Sequence, residues 1–327
     1  MKRNPYYAGP VTDHFDGTRF FNPDEPDSDK SLKQILRWQK ERPGKWPRRM
    51  PVTPAKPDTR HEGLRVTMVG HASVLIQAGG LNILTDPVWA GRVGPLGVLG
   101  PRRVAAPGIR FDDLPPINVV LLSHNHYDHM DLATLRRLDR RDAPEVITPL
   151  GNDTILARHV TRGRVQTGDW GDAFDLGELQ VHIVPANHWS SRGVRDRRMA
   201  LWGGFVMRTP VGTIYFAGDT GYGSGEVFRQ IRADHGAPDL AMLPIGAYAP
   251  RWFMAPQHCD PAEAVQMALD LEAGMAVGMH WATFRLTHEP HGEPATLLED
   301  HVRKTGRDPN WFRAARPGDV FEATVPR

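Results

Sequence analysis

Four residues that can bind a metal ion lie within six positions of the chain. The segment His124-x-His126-x-Asp128-His129 directly follows an apolar, β-branched run at residues 119–122. Side chains two positions apart in an extended segment point the same way, so His124 and His126 could share one ion. Asp128 and His129 lie past the bend and could bind a second ion. Isolated histidines are usually surface or hydrogen-bonded core residues, but this density at a strand end predicts a metal site.

Three further candidate ligands also stand at the ends of β-like runs, namely His188, Asp219 and His280. One sheet can aim scattered residues at a single point, so the set predicts a site for two ions. Cys259 is the single cysteine, which excludes a cysteine cluster and an intramolecular disulfide. Imidazole and carboxylate ligands favour two Zn²⁺ ions, although iron or manganese would also be accepted.

The elements that must position these residues begin near residue 63. Residues 1–62 are rich in Pro, Asp, Arg and Lys, and they are interpreted as an N-terminal extension with one candidate helix at 31–40. Residues 63–327 form the main domain. Its first β-like runs are 65–69, 73–77, 82–85 and 118–123, and its candidate helices are 131–138, 225–232, 261–271 and 294–305. Strands covered by helices on both sides predict a layered α/β or α+β sandwich, with loops at the strand ends carrying the chemistry.

Composition excludes several classes of protein. The chain has 327 residues, 40% hydrophobic and 24% charged, which is typical of a globular protein. A formal net charge of +2 gives no reason to expect nucleic acid as a partner. Neither a signal peptide nor a run of about 18 apolar residues is present, so we expect a cytoplasmic protein, at most peripheral to the inner membrane face.

The extension has two interpretations. Its basic flank could contact anionic head groups, because cations and Trp suit the membrane interface. Alternatively, the extension packs over the main domain. The flank consists of Arg42, Lys45, Trp46, Arg48 and Arg49. The oligomeric state cannot be predicted from these patterns.

The spacing of the seven candidate ligands resembles that of the metallo-β-lactamase superfamily. The resemblance implies a hydrolase domain at residues 63–327 with a four-layer αββα sandwich and the ions at one edge. It further implies that the first ion is held by His124, His126 and His188, the second by Asp128, His129 and His280, and that Asp219 bridges them.

A more specific resemblance covers about residues 64–290. The motifs that carry it are Gly70-His71-Ala72-Ser73, Leu84-Thr85-Asp86-Pro87, residues 123–131, 216–222 and 244–248, Pro250-Arg251-Trp252-Phe253-Met254, Gln257-His258 and His280-Trp281. Together they are similar to the N-acyl-phosphatidylethanolamine-hydrolysing phospholipase D branch. This resemblance implies a phosphodiesterase of phospholipase D type that acts on small-molecule or phospholipid phosphodiesters, with Asp219 and Asp128 in its catalytic centre. Two ions would lower the pKa of a shared water to give a metal-bridging hydroxide.

Three residues could support this chemistry without binding the ions. His71 and Asp86 follow β-like runs and could orient ligating imidazoles through hydrogen bonds, although a core or turn role is equally open. His258 is a candidate leaving-group acid or substrate contact, against simple loop stabilisation. Ser123 could suggest a serine hydrolase, but it lacks a Gly-x-Ser-x-Gly setting.

An aromatic and cationic cluster follows in a predicted loop. Tyr248, Arg251, Trp252 and Phe253, with Gln257, would suit a phosphate that carries an apolar tail. Packing beneath the loop is the alternative.

Two other functions remain open. Fold and metals do not fix the substrate, so a lactonase or other carbon-centred hydrolase is possible. The other hypothesis is a metal-bearing binding protein without turnover, and the complete ligand set argues against it.

Overall fold

Two seven-stranded sheets lie face to face in the computed structural model, which describes residues 3–23 and 29–323. The first sheet has the order β14-β1-β2-β3-β4-β5-β6 and comprises β1 (Leu64–Gly70), β2 (Ser73–Ala78), β3 (Leu81–Thr85), β4 (Val119–Leu121), β5 (Glu145–Pro149), β6 (Val165–Gly168) and β14 (Val320–Ala323). The second has the order β13-β12-β11-β10-β9-β8-β7 and comprises β7 (Ala173–Asp175), β8 (Gln180–Val184), β9 (Gly204–Thr209), β10 (Gly212–Phe216), β11 (Leu240–Pro244), β12 (Met275–Met279) and β13 (Phe312–Ala314).

Side chains alternate between the two faces of each sheet. Val74 and Ile76 of β2 lie in the core between the sheets, whereas Leu75 packs into the core on the outer face. Because both faces are covered, the strand is apolar at successive positions instead of alternating with polar residues.

Helices cover both outer faces. The helices of the described residues are α1 (Leu32–Lys40), α2 (Leu132–Asp142), α3 (Asn152–Leu156), α4 (Glu226–His235), α5 (Arg251–Met254), α6 (Pro261–Asp270) and α7 (Glu293–Lys304). Leu135 of α2 and Leu156 of α3 pack with the first sheet, and Phe228 of α4 and Leu298 of α7 pack with the second. These four layers confirm the predicted αββα sandwich. None of the helices in the described ranges is long and apolar enough to cross a bilayer.

The predicted elements agree with the structure to within about four residues, and the end of β4 is the informative difference. It ends at Leu121, two residues earlier than predicted. The Ser123 N–H donates to Asp86 Oδ1 at 2.7 Å, so the chain leaves the sheet at that point. This departure directs the residues after Ser123 towards the edge of the sandwich.

Residues of the N-terminal extension lie against the main domain. Phe15 and Phe20 are buried in one cluster with Trp202. The Asn22 side chain donates to the His188 carbonyl at 3.0 Å, and the Trp46 indole donates to the Glu289 carbonyl at 2.9 Å.

Asp131 links the start of α2 to a distant loop. As the helix N-cap, it accepts hydrogen bonds from the backbone N–H groups of Ala133 and Thr134. Its other oxygen accepts from the N–H groups of Trp89 and Ala90, at 3.3 and 3.0 Å. One carboxylate thus fixes the turn that follows the His-rich segment.

We predict that Asp131→Ala lowers the free energy of unfolding by about 2–4 kcal/mol, because it removes the cap and leaves several N–H groups unpaired. Urea unfolding with metal chelated measures this loss. Asp112→Ala is the matched control, because its side chain is 93% exposed. Equal effects of the two substitutions would contradict the assigned role of Asp131.

Candidate metal centre

The seven predicted ligands meet at one edge of the sandwich. Two groups have ligand atoms that all lie within 4.8 Å of one another, and they consist of His124, His126, His188 and Asp219, and of His71, Asp128, His129 and His280. A third such group, Asp219, His258 and His280, overlaps both the first two. The structure therefore brings together all the predicted ligands, and it adds His71 and His258 to them.

These side chains lie at the ends of strands, in tight turns whose backbone conformation is constrained. His280 follows β12 with a φ of 62°, Asp86 follows β3 with a φ of 34°, and His71 lies between β1 and β2 with a φ of 62°. Positive φ is unfavourable for residues with a side chain, so such conformations persist only where the surroundings enforce them. Gly218 has a φ of 60°, and a Cβ there would lie 2.8 Å from the Ser123 Cβ, so the approach of Asp219 to the site requires glycine.

The Asp219 carboxylate lies between the two groups of imidazoles. Its Oδ1 is 3.0 Å from His280 Nε2, and its Oδ2 is 3.1 Å from His129 Nε2. Oδ2 is also 3.6 Å from His188 Nε2 and 4.0 Å from His124 Nε2. This carboxylate therefore has the position that a bridging ligand requires.

The remaining ligand atoms also converge. His124 Nε2 and His126 Nδ1 are 2.8 Å apart, and His126 Nδ1 is 3.3 Å from His188 Nε2. Asp128 Oδ2 lies 2.9 Å from His71 Nε2 and 3.7 Å from His280 Nε2. Nitrogens of His124, His126 and His188 thus converge on one point. The Asp128 carboxylate and the imidazoles of His71 and His280 converge on a second point.

Hydrogen bonds to the Nδ1 atoms, on the side away from the cluster, fix the imidazole rings of His129 and His188. The fully buried Asp86 carboxylate lies 2.6 Å from His129 Nδ1 and accepts from the Ser123 hydroxyl at 2.6 Å. His188 Nδ1 donates to the Gln257 carbonyl at 2.9 Å. Such partners leave the opposite ring nitrogen directed into the cluster.

The cluster requires positive charge. Burial alone would raise the pKa of Asp219, but the neighbouring His129 and His280 hold it well below its usual range. Burial lowers the pKa of His126 to about 3 and of His188 to about 4, so both are neutral. Although burial opposes their protonation, Asp219 and the other nearby carboxylates raise the pKa of His129 and bring that of His280 to about 9. Without an ion, protons on these two rings supply the charge that the carboxylates need.

Several buried polar atoms in the cluster have no hydrogen-bond partner, namely Nε2 of His129 and His280 and Oδ1 of Asp219. Leaving such atoms unpaired is costly, and both Nε2 atoms lie within 3.1 Å of an Asp219 oxygen. Nitrogen and carboxylate ligands in this number suit divalent cations. The residues therefore fit a metal centre.

An open cavity of about 260 Å³ gives access to the cluster. The polar residues that line it include His126, Asp128, Asp219 and His258, as well as Gln257, and are called the polar wall. The apolar and aromatic residues that line it, called the apolar wall, include Val93, Tyr127, Trp189, Met254 and Leu286. Three larger cavities among the described residues, of about 450, 610 and 370 Å³, contain none of the seven ligands, so size does not identify the site.

The predicted substrate cluster lies outside this cavity, apart from Gln257. The Tyr248 hydroxyl donates to Glu293 at 2.6 Å, and Phe253 stacks on Trp38. The Trp252 indole donates to Glu41 at 3.0 Å. Trp252 and Phe253 thus pack against the N-terminal extension, Tyr248 is bonded to α7, and none of the three lines the cavity, which corrects the expectation that they contact substrate there.

Arg251 is also engaged elsewhere. Its guanidinium donates to both Glu263 oxygens, at 2.7 and 2.8 Å, and to the His258 carbonyl at 2.7 Å. It lies among protein acceptors instead of facing the cavity, so it positions the segment that carries His258.

Sequence reasoning missed the residues that form the apolar wall. Tyr127 and Trp189 adjoin predicted ligands in the sequence, and this adjacency could have identified them. Arg192 carries no such signal. Its guanidinium donates to the carbonyls of Asn125 and Met130, both at 2.9 Å, and so braces the His-rich segment.

Comparison with known proteins agrees with this geometry. The model of the β-lactamase superfamily domain matches residues 81–281. The chain belongs to the metallo-β-lactamase superfamily. Its similarity to an N-acyl-phosphatidylethanolamine-hydrolysing phospholipase D of Caenorhabditis elegans is 34% identity over 292 residues, covering 84% of this chain and 81% of that protein.

Two further similarities extend the comparison. An uncharacterised protein of Mycobacterium tuberculosis is 40% identical over 239 residues, or 72% of this chain, but the match spans only 63% of that protein's length. The metallo hydrolase Igni18 of Ignicoccus hospitalis has the same fold, with a TM-score of 0.57 and 20% identity over 80% of this chain and 99% of that one. The match to the family model and this structural similarity both place the chain in the metallo-β-lactamase fold.

We predict that Asp86→Asn weakens metal binding by about 10- to 100-fold, because His129 loses the carboxylate that orients it. Competition with a chromogenic chelator measures the affinity. The control is Asp139→Asn, since Asp139 is also buried and accepts three backbone N–H groups, from Thr161, Arg162 and Gly163, away from the site. Unchanged affinity in the Asp86 variant, or an equal loss in the control, would contradict the prediction.

Proposed function

We propose that the chain is a zinc-dependent phosphodiesterase of phospholipase D type that acts on lipids similar to N-acyl-phosphatidylethanolamine. Water adds to phosphorus, and the bond between phosphorus and the alcohol oxygen breaks. The products are a phosphomonoester and an N-acylethanolamine-like alcohol, which takes up the proton that water loses. The observation that carries the proposal is the position of Asp219 between two imidazole groups, beside a cavity lined by both polar and apolar side chains.

The seven ligands would hold two zinc ions, with Asp219 serving both. When bound, such a pair supplies Lewis acidity towards a phosphoryl oxygen and lowers the pKa of a water molecule. The substrate class is supported by the 34% identity with the C. elegans phospholipase D, which extends over most of both chains.

The cavity walls suit an amphiphilic substrate. Trp189, Met254 and Leu286 offer an apolar surface to an acyl or alkyl chain, while the polar wall faces the phosphate. This surface takes the role that the sequence had suggested for the cluster around Trp252.

Of the two roles predicted for His258, leaving-group acid and substrate contact, we propose the substrate contact. It lies among the ligands Asp219 and His280, and its Nδ1 is buried without a partner. Burial lowers the pKa of His258 well below its usual range, so its ring is neutral near pH 7. A neutral imidazole donates one hydrogen bond and accepts another, and we propose that it orients the departing alcohol or the phosphate.

We predict that the zinc-loaded protein hydrolyses N-acyl-phosphatidylethanolamine in mixed micelles, and bis(p-nitrophenyl) phosphate, with higher kcat/KM than a panel of lactones. The reason is that two metal ions beside polar side chains match a phosphoryl transition state. The Asp219→Ala variant should lose all turnover, while its circular dichroism spectrum stays close to that of the wild type. Faster turnover of lactones would favour a lactonase. Metal-loaded protein without any turnover would favour a binding protein.

Arg251→Ala provides a second arm of this experiment. Because Arg251 contacts Glu263 and the His258 carbonyl, we expect phosphodiester and lactone hydrolysis to fall in equal proportion. A loss confined to phosphodiesters would show that Arg251 binds phosphate after all.

A further inference from the structure

Three segments around the cavity mouth carry highly exposed aliphatic side chains. We define the first loop as residues 92–102 and the second loop as residues 190–198, and the third segment is helix α1. Leu96 of the first loop is 90% exposed, Val194 of the second is 99% exposed, and Leu32 of α1 is 79% exposed. Exposed aliphatic side chains on segments that surround a cavity commonly mark an interaction site.

The first loop is anchored at the mouth. Val93 lines the cavity and belongs to a cluster that also includes Tyr127 and Leu286 of the cavity wall. A bridge between Arg92 and Arg102 closes the base of the loop, and the Val93 N–H donates to the Pro101 carbonyl at 3.1 Å. The exposed side chains of Leu96, Val98 and Leu99 therefore project from a closed loop beside the cavity.

The second loop is anchored in the same way on another side. It follows Trp189 of the cavity wall, and the Arg198 N–H donates to the Ser190 carbonyl at 2.7 Å. Inside the loop, Asp196 accepts from the Ser191 hydroxyl and the Gly193 N–H. These bonds hold the loop together while Val194 stays exposed.

Helix α1 continues the rim beyond the second loop. Asp29, just before the helix, forms an ion pair with Arg197 at 2.6 Å. Trp38 of α1 stacks on Phe253, the neighbour of the cavity residue Met254. Leu32 and Leu36, one turn apart, are both exposed.

Charge in these segments is strongly one-sided. They contain nine Lys or Arg residues and one carboxylate, Asp196, and Asp29 and Glu41 flank α1. Arg192 donates to two backbone carbonyls, and Arg197 and Arg198 pair with Asp29. The exposed cations are Lys33, Arg37, Lys40, Arg102 and Arg195. The whole chain has a formal net charge of only +2. The rim therefore combines exposed aliphatic side chains with a local excess of cations.

We propose that the two loops and α1 form a membrane-contact surface that places the cavity mouth on a bilayer containing anionic phospholipid. Aliphatic side chains enter the interface, and Lys and Arg beside them are attracted by the anionic head groups. The inference rests on the proposed function, because a membrane-bound cavity mouth is useful to a protein whose lipid substrate enters from the membrane. The sequence had suggested a different membrane contact, the basic flank at 42–49. In the structure the Trp46 indole of that flank donates to the Glu289 carbonyl and packs on His291.

Sedimentation with large vesicles tests the surface without requiring activity. The full-length protein is mixed with vesicles of phosphatidylcholine alone or with phosphatidylglycerol added. The wild type should sediment with the anionic vesicles, and binding should weaken at high salt. Leu96→Asp and Val194→Asp should each reduce the partition coefficient by about tenfold, since a charge replaces an aliphatic side chain at the interface.

Val320→Asp is the matched control, because Val320 is an exposed valine on edge strand β14 and should leave binding unchanged. Absence of wild-type binding, or equal binding by the wild type and both loop variants, would overturn the proposal, as would an equal loss in the control. Hydrolysis of the soluble bis(p-nitrophenyl) phosphate separates the two claims. Vesicle binding without hydrolysis refutes only the proposed activity, and hydrolysis without vesicle binding refutes only the membrane surface.

Discussion

The buried carboxylate of Asp219, shared by imidazoles from both halves of the sandwich, is the interaction on which the rest of the structure depends. His124 and His129 follow β4 of the first sheet, whereas His188 and His280 follow β8 and β12 of the second. Burying a carboxylate is costly unless positive charge compensates it. The two sheets must therefore meet at a fixed distance, with the imidazoles already in place around Asp219.

The connections around the site make this arrangement rigid. His71, Asp86 and His280 hold backbone conformations that side chains rarely adopt, and Gly218 lets the chain pass close to Ser123. Asp131 and Arg192 tie the His-rich segment to loops that lie far away in the sequence. Strain of this kind is tolerated where geometry matters more than local stability, because catalysis depends on groups held in position before the substrate binds.

The ligand positions could be predicted from the sequence because each ligand follows an apolar run, a pattern that is local in the chain. The substrate contacts could not be predicted in this way. Whether Trp252 and Phe253 face substrate or protein depends on Glu41 and Trp38, which lie more than 200 residues away in the sequence. The role of Arg251 could not be predicted either. Its positive charge had suggested phosphate binding, but its guanidinium pairs with Glu263 on the next helix. The apolar wall was missed because Leu286 and Val93 have no distinctive sequence context.

The metal content of the protein tests the account most directly. The purified chain is stripped with a chelator, reloaded with zinc and desalted, and its zinc and protein are then measured by mass spectrometry and amino-acid analysis. We predict two zinc ions per chain in the wild type and fewer in Asp219→Ala, because both ions lose a shared ligand. X-ray absorption should show only nitrogen and oxygen ligands. A wild-type chain that binds one ion or none, or an Asp219→Ala variant that retains both ions at full affinity, would contradict the account.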